Sequence, residues 1–360
     1  LYTACDLNEV ALNRVVAKLS NEELPDRDEA VGALKIQQAE EQNPALLALQ
    51  KAAQDHRVPF LWDDDEVSVG FGESALVWPA DQLPAPGSIN WQCAGSIPLG
   101  IVTGTNGKST TVRLAASIFA AAGLRAGITS TDYIRVGEEI LDHGDYSGPG
   151  GARTLLRHPK SEAVVLEVAR GGLLRRGIGV EQADGALITN IAADHLGDYG
   201  INTVEEMAEA KFIVRRALDT EAPLILNADD PYVAQMSKLT QTMVLFFCTS
   251  ATAPVRASAN QLKDMRLKFD LHIEKNSVQL VLNTANRVML SNALAAAAVG
   301  HALGLNINQI RQGLNLFKPM KGRQTIYTLK NGINLIDDTY NANPASIEAA
   351  IITLTPVSYT

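Results

Sequence analysis

Between Ile101 and Thr111 the chain reads Ile-Val-Thr-Gly-Thr-Asn-Gly-Lys-Ser-Thr-Thr. An apolar run, residues 97–102, leads into a turn with two glycines. Lys108 and a set of hydroxyls follow, and a helical stretch runs from about Thr110 to Ala122. Strand, glycine turn, lysine, hydroxyl and helix together can hold a nucleotide triphosphate. Backbone N–H groups and a helix N-terminus face the phosphates, the lysine supplies a point charge, and Ser109 can ligate Mg²⁺. The match to G-x-x-x-x-G-K-S/T is partial: the position five residues before Gly107 is Val102, and the glycine stands at Gly104. The competing reading is a strand-to-helix turn that happens to contain Gly and Lys.

Two other apolar runs end in polar residues. Ala163 to Val168 carries Glu167 near its end, and Ala186 to Ile191 leads into Asn190, Asp194 and His195. In an α/β sheet the carboxyl ends of neighbouring strands meet at one edge. A hydroxyl, a carboxylate and an imidazole gathered there suit Mg²⁺ beside a triphosphate. Taken singly, Glu167 also fits a paired or edge carboxylate, and His195 a hydrogen-bonded core histidine. Arg153, Arg170, Arg175 and Arg176 admit two readings: a binding surface for an acidic substrate, or solvated charge.

The elements that would position these residues form an alternating series. Strands are expected at Leu99–Thr103, Ala163–Val168, Ala186–Ile191 and Leu224–Asn227, with helices at Thr110–Ala122, Val204–Leu218 and Tyr232–Lys238. That alternation predicts an α/β fold, a mostly parallel P-loop central sheet flanked by helices. A hairpin follows, Met265–Ile273 with Ser277–Leu282. Then come helices Leu290–Leu303 and Ile307–Leu316, with Gly304 as a C-terminal cap. Ile326–Leu329 and Ile333–Ile336 form a second expected hairpin. Residues 337–344 read as a loop and 345–354 as the start of a helix. Upstream, Ala11–Leu19 and Ala30–Gln54 read as helices, Val67–Trp78 as a small hairpin, and Pro79–Pro86 as a linker. The expected division is a small N-terminal α+β region, residues 1–95, a central domain, 96–320, and the opening of a Rossmann-like C-terminal domain, 321–360.

At 360 residues the chain is long enough for two or three domains. Its 46% hydrophobic and 20% charged content are those of a globular protein, and a formal net charge of −9 argues against nucleic-acid binding. No apolar run reaches the roughly 18 residues that span a membrane, and no signal peptide is visible. Three dispersed cysteines, Cys5, Cys93 and Cys248, lack metal spacing and point to a reducing cytoplasm. The start at Leu1 and the end at Thr360, just after a helical pattern, suggest a piece of a longer chain.

An ordered set of motifs then resembles the Mur ligase family over about residues 96–350. The set comprises Gly104-Thr-Asn-Gly-Lys-Ser-Thr110, Leu166-Glu-Val168, Thr189-Asn-Ile191, Asp194-His-Leu196, Ala210-Lys211, Leu226-Asn-Ala-Asp-Asp-Pro231, Asn292-Ala-Leu-Ala-Ala296 and Gly322-Arg323. Within that family the runs Gly144–Arg153, Glu167–Gly172 and Asn190–Gly197 are similar to the ligase part of cyanophycin synthetase. Asp337-Asp-Thr-Tyr-Asn-Ala-Asn-Pro344 is closer to the peptidoglycan ligase that adds D-alanyl-D-alanine. Residues 1–95 show no recognisable ATP-grasp domain, which a full cyanophycin synthetase carries, so a stand-alone relative is expected.

The resemblance implies an ATP- and Mg²⁺-dependent, ADP-forming ligase. It would join the carboxylate of a small molecule or peptide to an amino-acid amine through an acyl phosphate, with no nucleic acid or membrane involved. Gly104, Thr105, Asn106, Gly107, Lys108, Ser109 and Thr110 would bind the nucleotide, with Lys108 on the β- and γ-phosphates. Ser109 and Glu167 would hold one Mg²⁺ and His195 a second. Lys211 matches a lysine that is often carbamylated and then binds metal. Asn292 would contact the adenine, and Arg323 with Asp337 or Asp338 would bring the C-terminal domain onto the nucleotide. One departure is Val288-Met-Leu-Ser291, where many members carry His-Asn. The alternative is a P-loop switch or binding protein without ligase activity.

Overall fold

The computed structural model describes residues 2–24, 26–249, 252–263, 266–284, 286, 288–317, 322, 325–337, 339, 347–348 and 350–351. The chain separates into two compact units, Leu1–Val67 with Trp78–Trp91, and Ser68–Val77 with Gln92–Thr360. The stretch expected as a linker, Pro79–Pro86, falls inside the first.

The first unit contains three helices, α1 (Tyr2–Leu19), α2 (Arg27–Glu41) and α3 (Pro44–Asp55). The single helix expected over 30–54 is broken at Asn43-Pro44. Proline has no N–H to donate and its ring crowds the preceding turn, so it starts a helix instead of continuing one. Asn43 caps that start, its Oδ1 accepting from the Leu46 N–H at 3.0 Å. Three short strands follow in the chain, β1 (Phe60–Trp62), β2 (Glu66–Val69) and β3 (Leu76–Pro79).

The second unit is a large α/β layer structure. Its elements are β4 (Leu99–Thr103), α4 (Lys108–Ala121), β5 (Ala126–Thr129), β6 (Tyr133–Val136), β7 (Glu139–His143), α5 (Pro149–Leu156), β8 (Ala163–Glu167), α6 (Arg170–Arg176), β9 (Gly185–Ile188), α7 (Val204–Phe212), β10 (Leu224–Asn227), α8 (Pro231–Gln235), β11 (Val244–Cys248), β12 (Val255–Lys263), β13 (Arg266–Ile273), β14 (Asn276–Leu282), α9 (Val288–Ala302) and α10 (Ile307–Leu316). The eleven-stranded sheet runs β14-β13-β12-β11-β10-β9-β4-β8-β5-β6-β7. From β12 to β5 every pairing is parallel, and an antiparallel hairpin extends each end.

Every residue of β4 is buried, as a strand covered on both faces requires. Its neighbours are β8, with Val102 opposite Glu167, and β9, with Thr103 opposite Ile188. The three strand ends singled out above are therefore adjacent. The strand expected over 186–191 ends at Ile188, although Thr189 N–H still donates to the Thr103 carbonyl at 2.9 Å. At Ile273–Asn276 the hairpin closes on two residues, Glu274 taking a left-handed φ of +53°. Met265, expected in that hairpin, lies outside the described residues.

Helices α4, α9 and α10 share the main hydrophobic core with the sheet. Small residues set their spacing. A Cβ on Gly313 of α10 would stand 2.6 Å from the Ile118 nitrogen and 2.7 Å from the Ser117 carbonyl oxygen of α4, so two helix backbones touch there. Ser117 Oγ donates to the Gly313 carbonyl at 2.8 Å across the same crossing.

Further along, β15 (Thr325–Thr328) and β16 (Asn334–Asp337) pair antiparallel, within a residue of the expected hairpin. Of the expected loop 337–344 only 337 and 339 are described, and of the expected helix 345–354 only 347–348 and 350–351, all four helical. Among the described residues no helix is long and apolar enough to cross a membrane.

Candidate functional site

The loop after β4 is shaped by its glycines. Gly104 has φ +143° and Gly107 φ +83°, conformations that side chains rarely adopt. Space forbids a side chain as well. A Cβ on Gly104 would overlap Thr189 Oγ1, and one on Gly107 would overlap Asn292 Oδ1. Gly107 is the N-cap of α4 and offers no side-chain cap to its first turn; helix N-termini favour anions.

The loop is latched to the end of β9. Asn106 N–H donates to Asn190 Oδ1 at 2.9 Å, while the Asn106 carbonyl accepts from Asn190 Nδ2 at 3.0 Å and Thr189 Oγ1 at 2.7 Å. Thr105 N–H donates to the Asn190 carbonyl at 2.9 Å, and Ala192 N–H to Thr105 Oγ1 at 3.0 Å. Asn227, at the end of β10, donates to the Thr189 carbonyl at 2.8 Å, and Asp230 accepts from Ile191 N–H at 2.9 Å. These side chains add to the backbone bonds that hold the loop against the end of β9.

Lys108 begins α4, its Nζ donating to the Thr105 carbonyl at 2.9 Å. Ser109 and Thr110 are buried in the same turn. Glu167 is buried at the end of β8, where its N–H donates to Thr129 Oγ1 at 2.9 Å. His195 is not a core histidine: its side chain is 70% exposed, between Asp194 and Asp198, each 3.9 Å away.

Lys211, on α7, is only 4% exposed and donates from Nζ to the Gly104 carbonyl at 2.9 Å. Burial, reinforced by repulsion from Lys108 and Arg170 and opposed by Asp194, pushes its pKa down from 10.5 to about 7. Gly104, Thr105, Lys108, Asp194, His195 and Lys211, with Ala169, Arg170, Gly171 and Met207, line one cavity of about 220 Å³. Of the other expected residues, Asn292 stands against Gly107, Ser109 and Thr110 sit in the first turn of α4, and Glu167 ends the adjacent strand. Asp337 ends β16, accepting from Thr339 Oγ1 at 2.7 Å. Arg323 and Asp338 lie outside the described residues.

A cavity with Lys108 and Lys211 at its wall, under a glycine loop and a helix end, suits a phosphorylated ligand. The model for the Mur ligase middle domain matches residues 102–300, more than half of the chain. The chain belongs to the Mur ligase family. It is 37% identical over 266 residues to a cyanophycin synthetase of Geminocystis herdmanii, covering 69% of this chain and 30% of that one. To a UDP-N-acetylmuramoyl-tripeptide–D-alanyl-D-alanine ligase of Mycobacterium bovis it is 28% identical over 272 residues, 74% of this chain and 50% of the other. The crystal structure of MurF from Acinetobacter baumannii matches with a TM-score of 0.61 at 25% identity, over 72% of this chain and 54% of that one. The chain thus spans only 30% to 50% of the length of these curated relatives.

The residues of this Mur ligase chain fit a nucleotide with Mg²⁺. The loop has no room for side chains at Gly104 and Gly107, and Lys108 adds the charge. Among the described residues no three His, Cys, Asp or Glu side chains converge as a metal group. A nucleotide-bound Mg²⁺ takes one or two protein oxygens and completes its shell with water and phosphates. As an ammonium Lys211 cannot ligate; as a carbamate it could.

Thr189, Asn190, Asn227 and Asp230, which hold the loop, stand in the sequence motifs without an assigned role, and Arg170, read from sequence as part of a surface for an acidic substrate or as solvated charge, is buried in the cavity wall. Their partners lie 25 to 84 residues away, from Arg170 with His195 to Asn190 with Asn106.

Proposed function

We propose that this chain is the nucleotide-binding part of an ATP-dependent, ADP-forming carboxylate–amine ligase that works through an acyl phosphate. The observation that carries this reading is Lys108 and Lys211 on one cavity beneath the Gly104–Gly107 loop, in a chain of this family. Lys108 and the amides at the start of α4 would bind the β- and γ-phosphates and offset charge that moves toward the β-phosphate oxygens. The γ-phosphoryl group passes to a substrate carboxylate, leaving ADP. The amine then attacks the acyl carbon, and phosphate leaves as the amide forms.

Ser109 and Glu167 would hold one Mg²⁺, with His195 and Lys211 at a second position. The metal supplies charge neutralisation between the phosphates and the reacting carboxylate. With a pKa of about 7, Lys211 has a substantial neutral fraction near neutral pH, the form that adds CO₂ and loses a proton to become a carbamate. Asn292, beside Gly107, would contact the adenine, and Arg323 with Asp337 or Asp338 would close a C-terminal domain over the nucleotide. The domain division is 1–95, 96–320 and 321–360. The substrates are a small-molecule or peptide carboxylate and an amino-acid amine, of the cyanophycin or peptidoglycan-precursor kind, and the location is the cytoplasm. A P-loop switch without ligation is not favoured, since the relatives are named as synthetases and ligases.

The test is ADP release and product mass spectrometry with ATP, Mg²⁺ and panels of carboxylates and amines. Amide formation that falls about 10²-fold or more in Lys108→Ala is expected. ATP turnover indifferent to every carboxylate and amine, and unchanged in Lys108→Ala, would overturn the reading.

A further inference from the structure

The turn that carries His195 has an unfavourable backbone. His195 and Tyr199 have φ of +49° and +57°, and Gly197 and Gly200 lie at +96° and +76°. For residues with a Cβ such conformations cost free energy, so the turn persists only where its surroundings impose it.

Arg170 is the side chain best placed to impose it. It is the first residue of α6 and only 9% exposed. Its Nη1 donates to the His195 carbonyl at 3.0 Å, and Nη2 lies 3.6 Å from Asp198 Oδ2. Its guanidinium carbon stands 5.8 Å from the centre of the Tyr199 ring, and that of Arg175 stands 5.2 Å from the same centre. Arg175 Nε donates back to the Gly171 carbonyl at 3.0 Å, which ties this second cation to the start of the same helix. Only a planar fork can serve a carbonyl, a carboxylate and a ring at once; a lysine ammonium is a single point.

We propose that Arg170 is a positioning residue that clamps the 195–200 turn to the end of β8, fixing His195 relative to the strand that terminates in Glu167. The guanidinium belongs to the segment that directly follows Glu167, so one side chain sets the register of two strand ends that come together only in the fold. The inference rests on the ligase reading only for its kinetic consequence. The clamp itself is a property of the free chain.

Hydrogen exchange read by mass spectrometry, with ADP-release kinetics alongside, tests it on the wild type, Arg170→Met, Arg170→Lys and Tyr199→Ala. Amides of residues 194–201 should exchange about tenfold faster or more in Arg170→Met, the scale of a lost charge-assisted hydrogen bond, while α4 exchanges as before. Tyr199→Ala should loosen the same segment with Arg170 still present, and Arg170→Lys should remain loosened, since it lacks the fork. The kcat of Arg170→Met should fall about tenfold or more with KM for ATP within about twofold, as for lost orientation. Unchanged exchange at 194–201 in Arg170→Met and Arg170→Lys overturns the clamp. A raised KM for ATP at unchanged kcat would make Arg170 a phosphate-binding residue and overturn the positioning role. A wild type that forms no amide defeats the ligase reading alone, because the exchange comparison still decides the clamp. Should Arg170→Met fail to fold, Arg170→Lys and Tyr199→Ala carry the same comparison.

Discussion

Lys211→Met isolates the cost of burying an amine at the site. In the unfolded chain this lysine titrates near 10.5, and in the folded protein near 7. Between those values the unfolded state binds one proton more than the folded state. Wild-type stability therefore rises with pH through that window, by about 1.4 kcal/mol per pH unit. Below about pH 7 both states carry the proton and the full cost of burying the charge is present. Methionine has no such titration and a similar length. The advantage of Lys211→Met should be greatest below pH 7 and shrink by roughly 2 kcal/mol between pH 7 and pH 9, the buried amine being already half deprotonated at pH 7. Losing the Nζ hydrogen bond to the Gly104 carbonyl subtracts about 1 kcal/mol at every pH and leaves the slope unchanged. Urea unfolding followed by circular dichroism, in bicarbonate-free buffer at pH 7, 8 and 9, measures the difference, and other titrating groups cancel between the two proteins. The variant should also lose ADP-forming activity, stability and function being opposed at this residue. Parallel stability curves for the two proteins, or a variant less stable than wild type at pH 7, would refute the reasoning.

Gly107→Ala places a methyl group against Asn292 Oδ1 at a left-handed φ, so ATP affinity measured by calorimetry should fall about tenfold or more while the fold survives with a loss of about 1–3 kcal/mol. Normal ATP binding by this variant would mean that the loop does not need its observed shape. Gly313→Ala forces α4 and α10 apart at Ile118 and should cost about 1–3 kcal/mol, a drop in Tm of about 2–5 °C, with KM for ATP unchanged because the crossing lies at the end of α4 away from Lys108. An undiminished Tm would show that the helices can separate freely.

What the order of residues conveyed depended on the range of the interaction. The strand, glycine loop and helix around Lys108 were legible because their signals are local: a buried apolar run, glycines in a tight turn, hydroxyls at a helix start. The break at Asn43-Pro44 was equally local and was passed over in favour of the helical composition on either side. Strands β5, β6, β7, β11 and β12 were not expected; β6, β7 and β12 lie toward the ends of the sheet and are partly exposed, β7 with no buried residue, whereas β5 and β11 are runs of only four and five residues with no polar alternation to mark them.

By itself the sequence determined the kinds of groups available and the elements they would sit on: a lysine at a helix start, carboxylates and a histidine after buried strands. Only the tertiary structure decided what those groups are. The parallel order β9-β4-β8 sets Asn190 against Asn106 across 84 residues, and closing α7 under the loop puts Lys211 beside Gly104 across 107. The reason is physical. Turn and helix preferences are set by neighbours in the chain, whereas desolvation, charge repulsion and a shared hydrogen bond depend on distances through space, which exist only once the sheet has closed.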